Sequence, residues 1–198
     1  MSALARQGNA AADLCGLLAE VLSFPGPQLE AAVREGTLRE AIEHLNGHLG
    51  YELLAPLDAF GPYDVEPKQL EAEYIRLFDV PDKAPTPLYT GVYAPRRRDA
   101  MEELLRFYRF FGLSTEGGTG ELPDFVPTVL EFLGFLSLAS ERGGAVAAAR
   151  MDVFERHLHP WAAQTAERLA RRAPHPFYAG AIALVREMAA AELYLARS

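Results

Sequence analysis

The stretch VPTVLEFLGFLSLA, residues 126–139, is the segment that best decides the fold class. Its apolar side chains recur three and four residues apart, at Val129, Leu130, Leu133 and Leu136. This spacing places them along one face of a helix, whereas a half-buried strand would alternate apolar and polar residues. The segment is therefore predicted to be a helix with one apolar face.

The same spacing recurs on both sides of this segment. It predicts helices at residues 14–22, 38–49, 70–78 and 101–111 before it, and at residues 146–158, 161–173 and 177–195 after it. Pro25-Gly26-Pro27 is predicted to end the first of these helices, Pro67 to start the third, and Pro160 to break or restart a later one. Because no segment combines alternation with β-branched enrichment, the sequence predicts an all-α fold in a single domain, residues 1–198.

Two loops interrupt the helical pattern. From Asp79 to Pro95, prolines at 81, 85, 87 and 95 surround Tyr89 and Tyr93, which indicates an ordered aromatic loop. The Gly-rich segment Gly117–Gly120 lies within a predicted hinge loop at residues 113–123, so two packed helical halves are an alternative to one compact unit. Hinge loops permit exchange of helices between protomers, but a monomer is expected.

The bulk composition narrows the class of function. The chain has 198 residues, of which 49% are apolar, and its net charge of −8 disfavours nucleic acid and suits a basic partner. The single Cys15 excludes an internal disulfide and indicates a reducing compartment. Asp13 and Glu20 interrupt the N-terminal apolar segment and no stretch approaches a membrane span, so a cytoplasmic location is expected. Arg96–Arg98 is predicted to be a solvated charge run.

The sequence contains no recognisable motif for catalysis or metal binding. His44 and His48 are four residues apart, as helical zinc ligands can be, but no third ligand is evident nearby. His157 and His159 are predicted to lie on different faces of a helix. Gly117–Gly120 lacks the Lys-Ser/Thr that completes a phosphate-binding loop. The sequence therefore predicts no metal site, no cofactor and no enzymatic activity.

Five motifs in a fixed order resemble those of one family. They are Glu73–Phe78, Pro85–Tyr93, Glu121–Asp124, His157–Trp161 and His175–Tyr178. Together they resemble the molybdoenzyme-specific chaperones, the group that contains the TorD, DmsD and NarJ proteins, over about residues 70–180. The sequence departs from the family pattern at Phe125, where many members have His. The motifs do not decide between the nitrate-reductase branch and the sulfoxide and amine-oxide reductase branch.

The resemblance implies an all-α cytoplasmic chaperone rather than an enzyme. It implies binding to the apo catalytic subunit of a molybdopterin oxidoreductase, often through its N-terminal segment or twin-arginine signal peptide. The chaperone would assist cofactor insertion and assembly and prevent premature export. The family also suggests weak binding of nucleotide or pterin cofactor, but no motif localises it. Two alternatives stay open, namely a structural subunit of a respiratory redox complex and a helical hydrolase whose groups converge only in the fold.

The hypothesis for the site joins an aromatic helix, the aromatic loop and the acidic motif. Apolar side chains would line a groove for a client peptide, and carboxylates would meet its arginines. The predicted client-binding residues are Tyr74, Leu77, Phe78, Pro87, Tyr89, Tyr93, Glu121, Pro123, Asp124 and Phe125. Two alternatives apply within this set: Leu77 and Phe78 can be core residues, and Asp124 can cap the helix that begins near Val126.

Overall fold

The computed structural model describes residues 3–55, 57–66, 68–79, 84–114, 120–139 and 143–196. The helices are α1 (Ala3–Val21), α2 (Pro27–Glu35), α3 (Thr37–Asn46), α4 (Gln69–Phe78), α5 (Arg97–Phe110), α6 (Val126–Leu138), α7 (Gly144–Val153), α8 (His159–Ala170) and α9 (Pro176–Leu195). Short 3-10 turns occur at Leu57–Phe60 and Thr90–Tyr93. The described residues form no strand, apart from one isolated antiparallel bridge between Tyr89 and Phe125. The all-α prediction is confirmed.

Helix α6 lies at the centre of the core. It packs against α1 and α7, and its buried side chains include Val129, Leu130 and Leu133. A Cβ atom added to Gly134 would lie 3.3 Å from the carbonyl oxygen of Ala12, so this glycine allows α1 to approach closely. Burial of each such aliphatic side chain contributes about 1.5–3 kcal/mol. The apolar face predicted for residues 126–139 therefore forms the main contact with α1.

Helix α2 was not predicted from the sequence. Pro25-Gly26-Pro27 was expected only to end the first helix, but Pro27 also occupies the first turn of α2. Proline is favoured there because the first N–H groups of a helix have no intrahelical partner. Leu29 and Val33 are buried on this short helix, and Gly36, with φ of 78°, closes it.

Pro160 restarts a helix without interrupting the helical path. Helix α7 continues into a π-helical turn at Phe154–Leu158, and α8 begins at His159 with Pro160 in its first turn. Phe154 and Leu158 are fully buried. The predicted restart is confirmed, and the wider π-turn connects α7 directly to α8.

A buried ion pair holds three helices and a loop together. Arg150 on α7 lies 2.6 Å from the carboxylate of Glu192 on α9 and also donates to the hydroxyl of Ser137 on α6. Tyr51 donates its hydroxyl hydrogen to the same Glu192 carboxylate at 3.0 Å. Cys15 is buried nearby, and its burial raises the pKa of its thiol to about 12, as expected for an unreactive core cysteine.

Some predicted features lie outside the described residues. Pro67, Pro81 and residues 115–119 belong to this set, so the hinge at 113–123 and the single-domain assignment stay predictions. Gly112, with φ of 74°, follows the end of α5 as predicted. Among the described residues, no helix combines the length and the apolar character needed to cross a membrane.

Candidate functional site

The aromatic loop and the acidic motif lie side by side. The backbone N–H of Val126 donates to the carbonyl oxygen of Leu88 at 2.9 Å, and the N–H of Thr90 donates to the carbonyl oxygen of Asp124 at 2.8 Å. These two bonds flank the bridge between Tyr89 and Phe125. Residues 88–90 therefore pair with residues 124–126, although more than 30 positions separate them in the sequence.

Tyr89, Glu121 and Phe125 form the outer surface of this pairing, which we call the front face. The Tyr89 hydroxyl donates a hydrogen bond to a Glu121 carboxylate oxygen at 2.7 Å. The rings of Tyr89 and Phe125 lie 5.4 Å apart, and both residues are partly exposed, while Glu121 is exposed. Partial burial, followed by the bond to Glu121, raises the pKa of the Tyr89 hydroxyl. The face thus combines aromatic rings with an accessible carboxylate.

Asp124 lies beneath this surface and supports it. Its side chain is fully buried, and one carboxylate oxygen accepts a hydrogen bond from the N–H of Gly91 at 3.1 Å. The Nε of Arg97 lies 3.9 Å from the same oxygen. Burial raises the pKa of Asp124, while Gly91 and Arg97 oppose the shift. The capping hypothesis is wrong, because Phe125 occupies the N-cap position of α6 and no side chain caps that helix.

Arg97 is a candidate site residue that the sequence pattern does not reveal. It was grouped with a solvated charge run, and its neighbours Arg96 and Arg98 do form surface ion pairs with Asp99 and Glu102. Arg97 instead places its guanidinium carbon 5.8 Å from the centre of the Tyr89 ring and lies near Asp124. It begins α5, so its direction could not be inferred from the sequence run alone.

The predicted residues of α4 are mostly core residues. Leu77 is fully buried and Phe78 is 3% exposed, so both lie in the core, as the alternative interpretation predicted. Tyr74 is 8% exposed, and its ring contacts that of Phe24 at 5.5 Å. Burial, and then the charge of Glu121, raises the pKa of the Tyr74 hydroxyl, which donates to the carbonyl oxygen of Leu22 at 3.4 Å.

Phe24 is an exposed aromatic residue that contacts Tyr74 and was not predicted. Its side chain is 56% exposed and lies in the loop after α1. The aromatic residue beside Pro25 was the only available signal in the sequence, and it does not predict contact with Tyr74. Pro123 is partly exposed between Glu121 and the buried Asp124, and its carbonyl oxygen accepts the Tyr108 hydroxyl at 2.8 Å.

Pro87 and Tyr93 anchor the aromatic loop to α8. The buried Trp161 side chain donates its indole N–H to the Pro87 carbonyl oxygen at 3.1 Å. Tyr93 is 8% exposed, and the guanidinium carbon of Arg168 lies 4.4 Å from its ring centre. Thr86 donates its hydroxyl to the Leu77 carbonyl oxygen, which joins the loop to α4. These contacts hold Pro87 and Tyr93 on the side of the loop that faces the core, and not on its accessible side.

The motifs at residues 73–78 and 175–178 contact each other. Arg76 forms two hydrogen bonds of 2.7 Å with the Glu73 carboxylate, which also accepts the backbone N–H of His175 at 2.7 Å. The Tyr178 hydroxyl donates to the carbonyl oxygen of Leu70 on α4. The motifs at 73–78 and 175–178 therefore form a structural junction between α4 and the start of α9.

The histidines form no metal site within the part of the chain that the structure describes, where no group of three or more potential ligands occurs. His48 bonds through Nδ1 to the carbonyl oxygen of His44 and does not share a ligand with it. His157 is buried, and its Nε2 lies 3.2 Å from the Glu103 carboxylate.

The front face is suited to binding apolar groups through its aromatic rings and cationic groups through the Glu121 carboxylate.

Comparison with known proteins places these features in context. Residues 27–167 match the sequence profile described as nitrate reductase delta subunit. The chain is 41% identical over 110 residues to the chlorate reductase assembly chaperone protein of Ideonella dechloratans, and 39% identical over 110 residues to the selenate reductase assembly chaperone protein of Thauera selenatis. Each match covers 50% of this chain and 57% of the relative, so it spans little more than half of either relative's length.

A longer match and a solved structure agree with this result. The perchlorate reductase assembly chaperone protein of Dechloromonas aromatica (strain RCB) is 29% identical over 164 residues, which are 73% of this chain and 71% of that protein. A crystal structure of an Archaeoglobus fulgidus protein, assigned as a redox enzyme maturation protein, has the same fold, with a TM-score of 0.53, 16% identity and 94% coverage of both chains. Because the profile matches most of its length, the chain belongs to the nitrate reductase delta subunit family.

Proposed function

We propose that this protein is a chaperone for the assembly of a molybdenum-containing reductase. It binds the apo catalytic subunit before the molybdopterin cofactor is inserted and leaves when assembly is complete. Family membership and relatives named as reductase assembly chaperones support this proposal. The observation that carries it is the pairing of residues 88–90 with 124–126, which presents aromatic rings and a carboxylate on one surface.

The front face is the proposed client-binding surface. Tyr89 and Phe125 contact apolar side chains of the client's N-terminal or twin-arginine segment, and the exposed Phe24, which packs on Tyr74, extends the contact. Glu121 pairs with an arginine, because a planar guanidinium forms directional, charge-assisted bonds with a carboxylate. Apolar burial supplies affinity and the ion pair fixes register.

Asp124 has a different role in this proposal from the one first predicted. A fully buried carboxylate bonded to Gly91 holds the paired segments in place and does not contact the client arginine. Leu77, Phe78, Pro87 and Tyr93 likewise support the surface from below. The proposed activity requires no bound cofactor, no metal and no catalytic residue, and it takes place in the cytoplasm before any export of the client.

The experiment is copurification of the tagged full chain from its native host, with identification of bound chains and their cofactor content. We expect an apo molybdenum-enzyme subunit, and we expect Glu121→Gln to lower its recovery. The matched control is Glu167→Gln, an exposed carboxylate on α8 that is not part of the front face. Stoichiometric recovery of only the mature, cofactor-loaded complex would instead identify a structural subunit and overturn the proposal.

A further inference from the structure

A concave surface distinct from the front face lies between the C-terminal end of α5 and α6. It is a cavity of about 260 Å³ with an apolar lining that includes Tyr108, Leu113, Phe132 and Phe135. One water molecule in the liquid occupies about 30 Å³. The cavity is therefore large enough for a side chain, and we call it the α5–α6 pocket.

Aromatic rings form the wall of this pocket. Tyr108 and Phe132 have ring centres 4.9 Å apart in an edge-to-face arrangement, and Phe132 and Phe135 stack with centres 6.3 Å apart. Phe111 lies 6.1 Å from Phe135. The Tyr108 hydroxyl is occupied, because it donates to the Pro123 carbonyl oxygen. The pocket therefore offers mainly ring surface.

The pocket lies on the open side of an otherwise buried helix. Helix α6 buries most of its residues, but Thr128, Glu131 and Phe135 line the pocket and Leu138 beyond them is 62% exposed. Leu113, on the opposite wall, is 36% exposed. Neighbouring exposed apolar residues of this kind mark interaction surfaces in soluble proteins.

The charge at the pocket indicates the chemistry of the partner. Glu131 is exposed beside the rings and forms no ion pair with the residues that the structure describes. The whole chain carries a net charge of −8. A second copy would bring another Glu131 and the same net charge, so electrostatics favours a cationic partner over self-association.

The geometry also indicates the mode of contact. Most of the pocket wall, including Tyr108, Phe132 and Phe135, lies on α5 and α6, and Leu113 after the end of α5 donates its N–H to the Tyr108 carbonyl oxygen. Addition of a strand requires a row of unpaired backbone groups along an extended edge, and a wall built mainly from helices has no such edge. Contact must therefore occur through inserted side chains.

We propose that the α5–α6 pocket is a second attachment point for the client polypeptide. It takes a bulky apolar side chain, leucine or phenylalanine, from a segment in which an adjacent arginine or lysine pairs with Glu131. This inference rests on the proposed chaperone function. The Tyr108–Pro123 bond connects the pocket to the acidic motif of the front face, so one client can contact both surfaces through different segments.

Photocrosslinking in the native host tests the two surfaces separately. The full chain carries p-benzoylphenylalanine at Leu122 for the front face, at Phe135 for the pocket, or at Tyr194, which is 73% exposed at the end of α9, as a control. We expect positions 122 and 135 to capture the same polypeptide through different peptides, and position 194 not to capture it. The peptide captured at 135 should contain a bulky apolar residue next to arginine or lysine.

A charge reversal tests the ion pair at the pocket. Glu131→Lys should lower the crosslinking yield at position 135 by roughly five-fold or more through like-charge repulsion, whereas Glu167→Lys should leave it unchanged. Capture at 122 without capture at 135 would overturn the second attachment point and leave the proposed function standing. Capture of only a second copy at 135 would also overturn it. Failure of both positions would remove support from the proposed function itself.

Discussion

The indole N–H of Trp161 donates to the carbonyl oxygen of Pro87 across 3.1 Å, in a part of the core where the Trp161 side chain is fully buried. This bond joins α8 to the aromatic loop that carries Tyr89. It shows that a motif near the end of the chain can affect the front face without lying on it.

Substitution of Trp161 by Phe should destabilise the fold. The variant leaves the Pro87 carbonyl oxygen buried without its donor, which costs about 1–3 kcal/mol, and adds a cavity cost where the larger ring is lost. Urea denaturation monitored by circular dichroism measures the change in the free energy of unfolding. An unchanged midpoint would contradict the assigned contribution of this bond.

A methyl group at Gly91 should disturb the pairing of the two segments. The added Cβ of Gly91→Ala would lie 2.7 Å from the Asp124 carboxylate and 3.0 Å from Arg97 Cγ, so we expect a loss of about 1–3 kcal/mol. The matched control is Gly16→Ala in α1, where nothing lies within 4 Å of the added Cβ. That variant should gain up to about 1 kcal/mol from helix propensity. Thermal unfolding compares the two, and equal effects would disprove the contact.

Truncation of Tyr89 should separate binding from stability. Tyr89→Ala removes a partly exposed ring from the front face, so we expect client affinity to fall roughly ten-fold, about 1.4 kcal/mol, while the fold stays intact. Titration of the identified client peptide measures the affinity, and Tyr194→Ala at the end of α9 is the control. Unchanged affinity in a folded Tyr89→Ala protein would remove the front face as the binding surface.

Acidification should weaken the fold through His157. Burial lowers the pKa of this residue, and Glu103 only partly opposes the shift. The unfolded chain therefore binds more protons than the folded chain as pH falls through about 6.5, so the free energy of unfolding decreases. His157→Gln should make this decrease shallower between about pH 7.5 and 5.5, as measured by urea denaturation at several pH values. Identical slopes would show that another group dominates.

The periodicity of apolar residues predicted most of the helices, because a helix that buries one face needs apolar side chains three and four residues apart. The leucines of α1 and α6 are examples, and both helices form, although α1 begins at Ala3, before the predicted start at residue 14. Helix α2 was not predicted because its nine residues bury only Leu29 and Val33, which are too few to show a helical period. Its initiating Pro27 has the same sequence signal as a helix end.

The site was less predictable than the fold. Tyr89, Glu121 and Phe125 of the predicted set lie together in the structure, but the bond between Leu88 and Val126 uses backbone atoms, which no side-chain pattern records. The predicted client-binding residues differ in burial. Leu77 and Asp124 are buried and support the surface, whereas Tyr89 is partly exposed. Arg97 was missed because its direction depends on where α5 begins.

The π-turn at Phe154–Leu158 fixes the angular phase between α7 and α8. One residue corresponds to about 100° of rotation around a helix axis. Deletion of a single residue within this turn would rotate Trp161 away from Pro87 and displace Thr165, which is buried on the same side of α8. We therefore expect residues 144–170 to keep a constant length among relatives, with length variation confined to the loops on either side of this stretch.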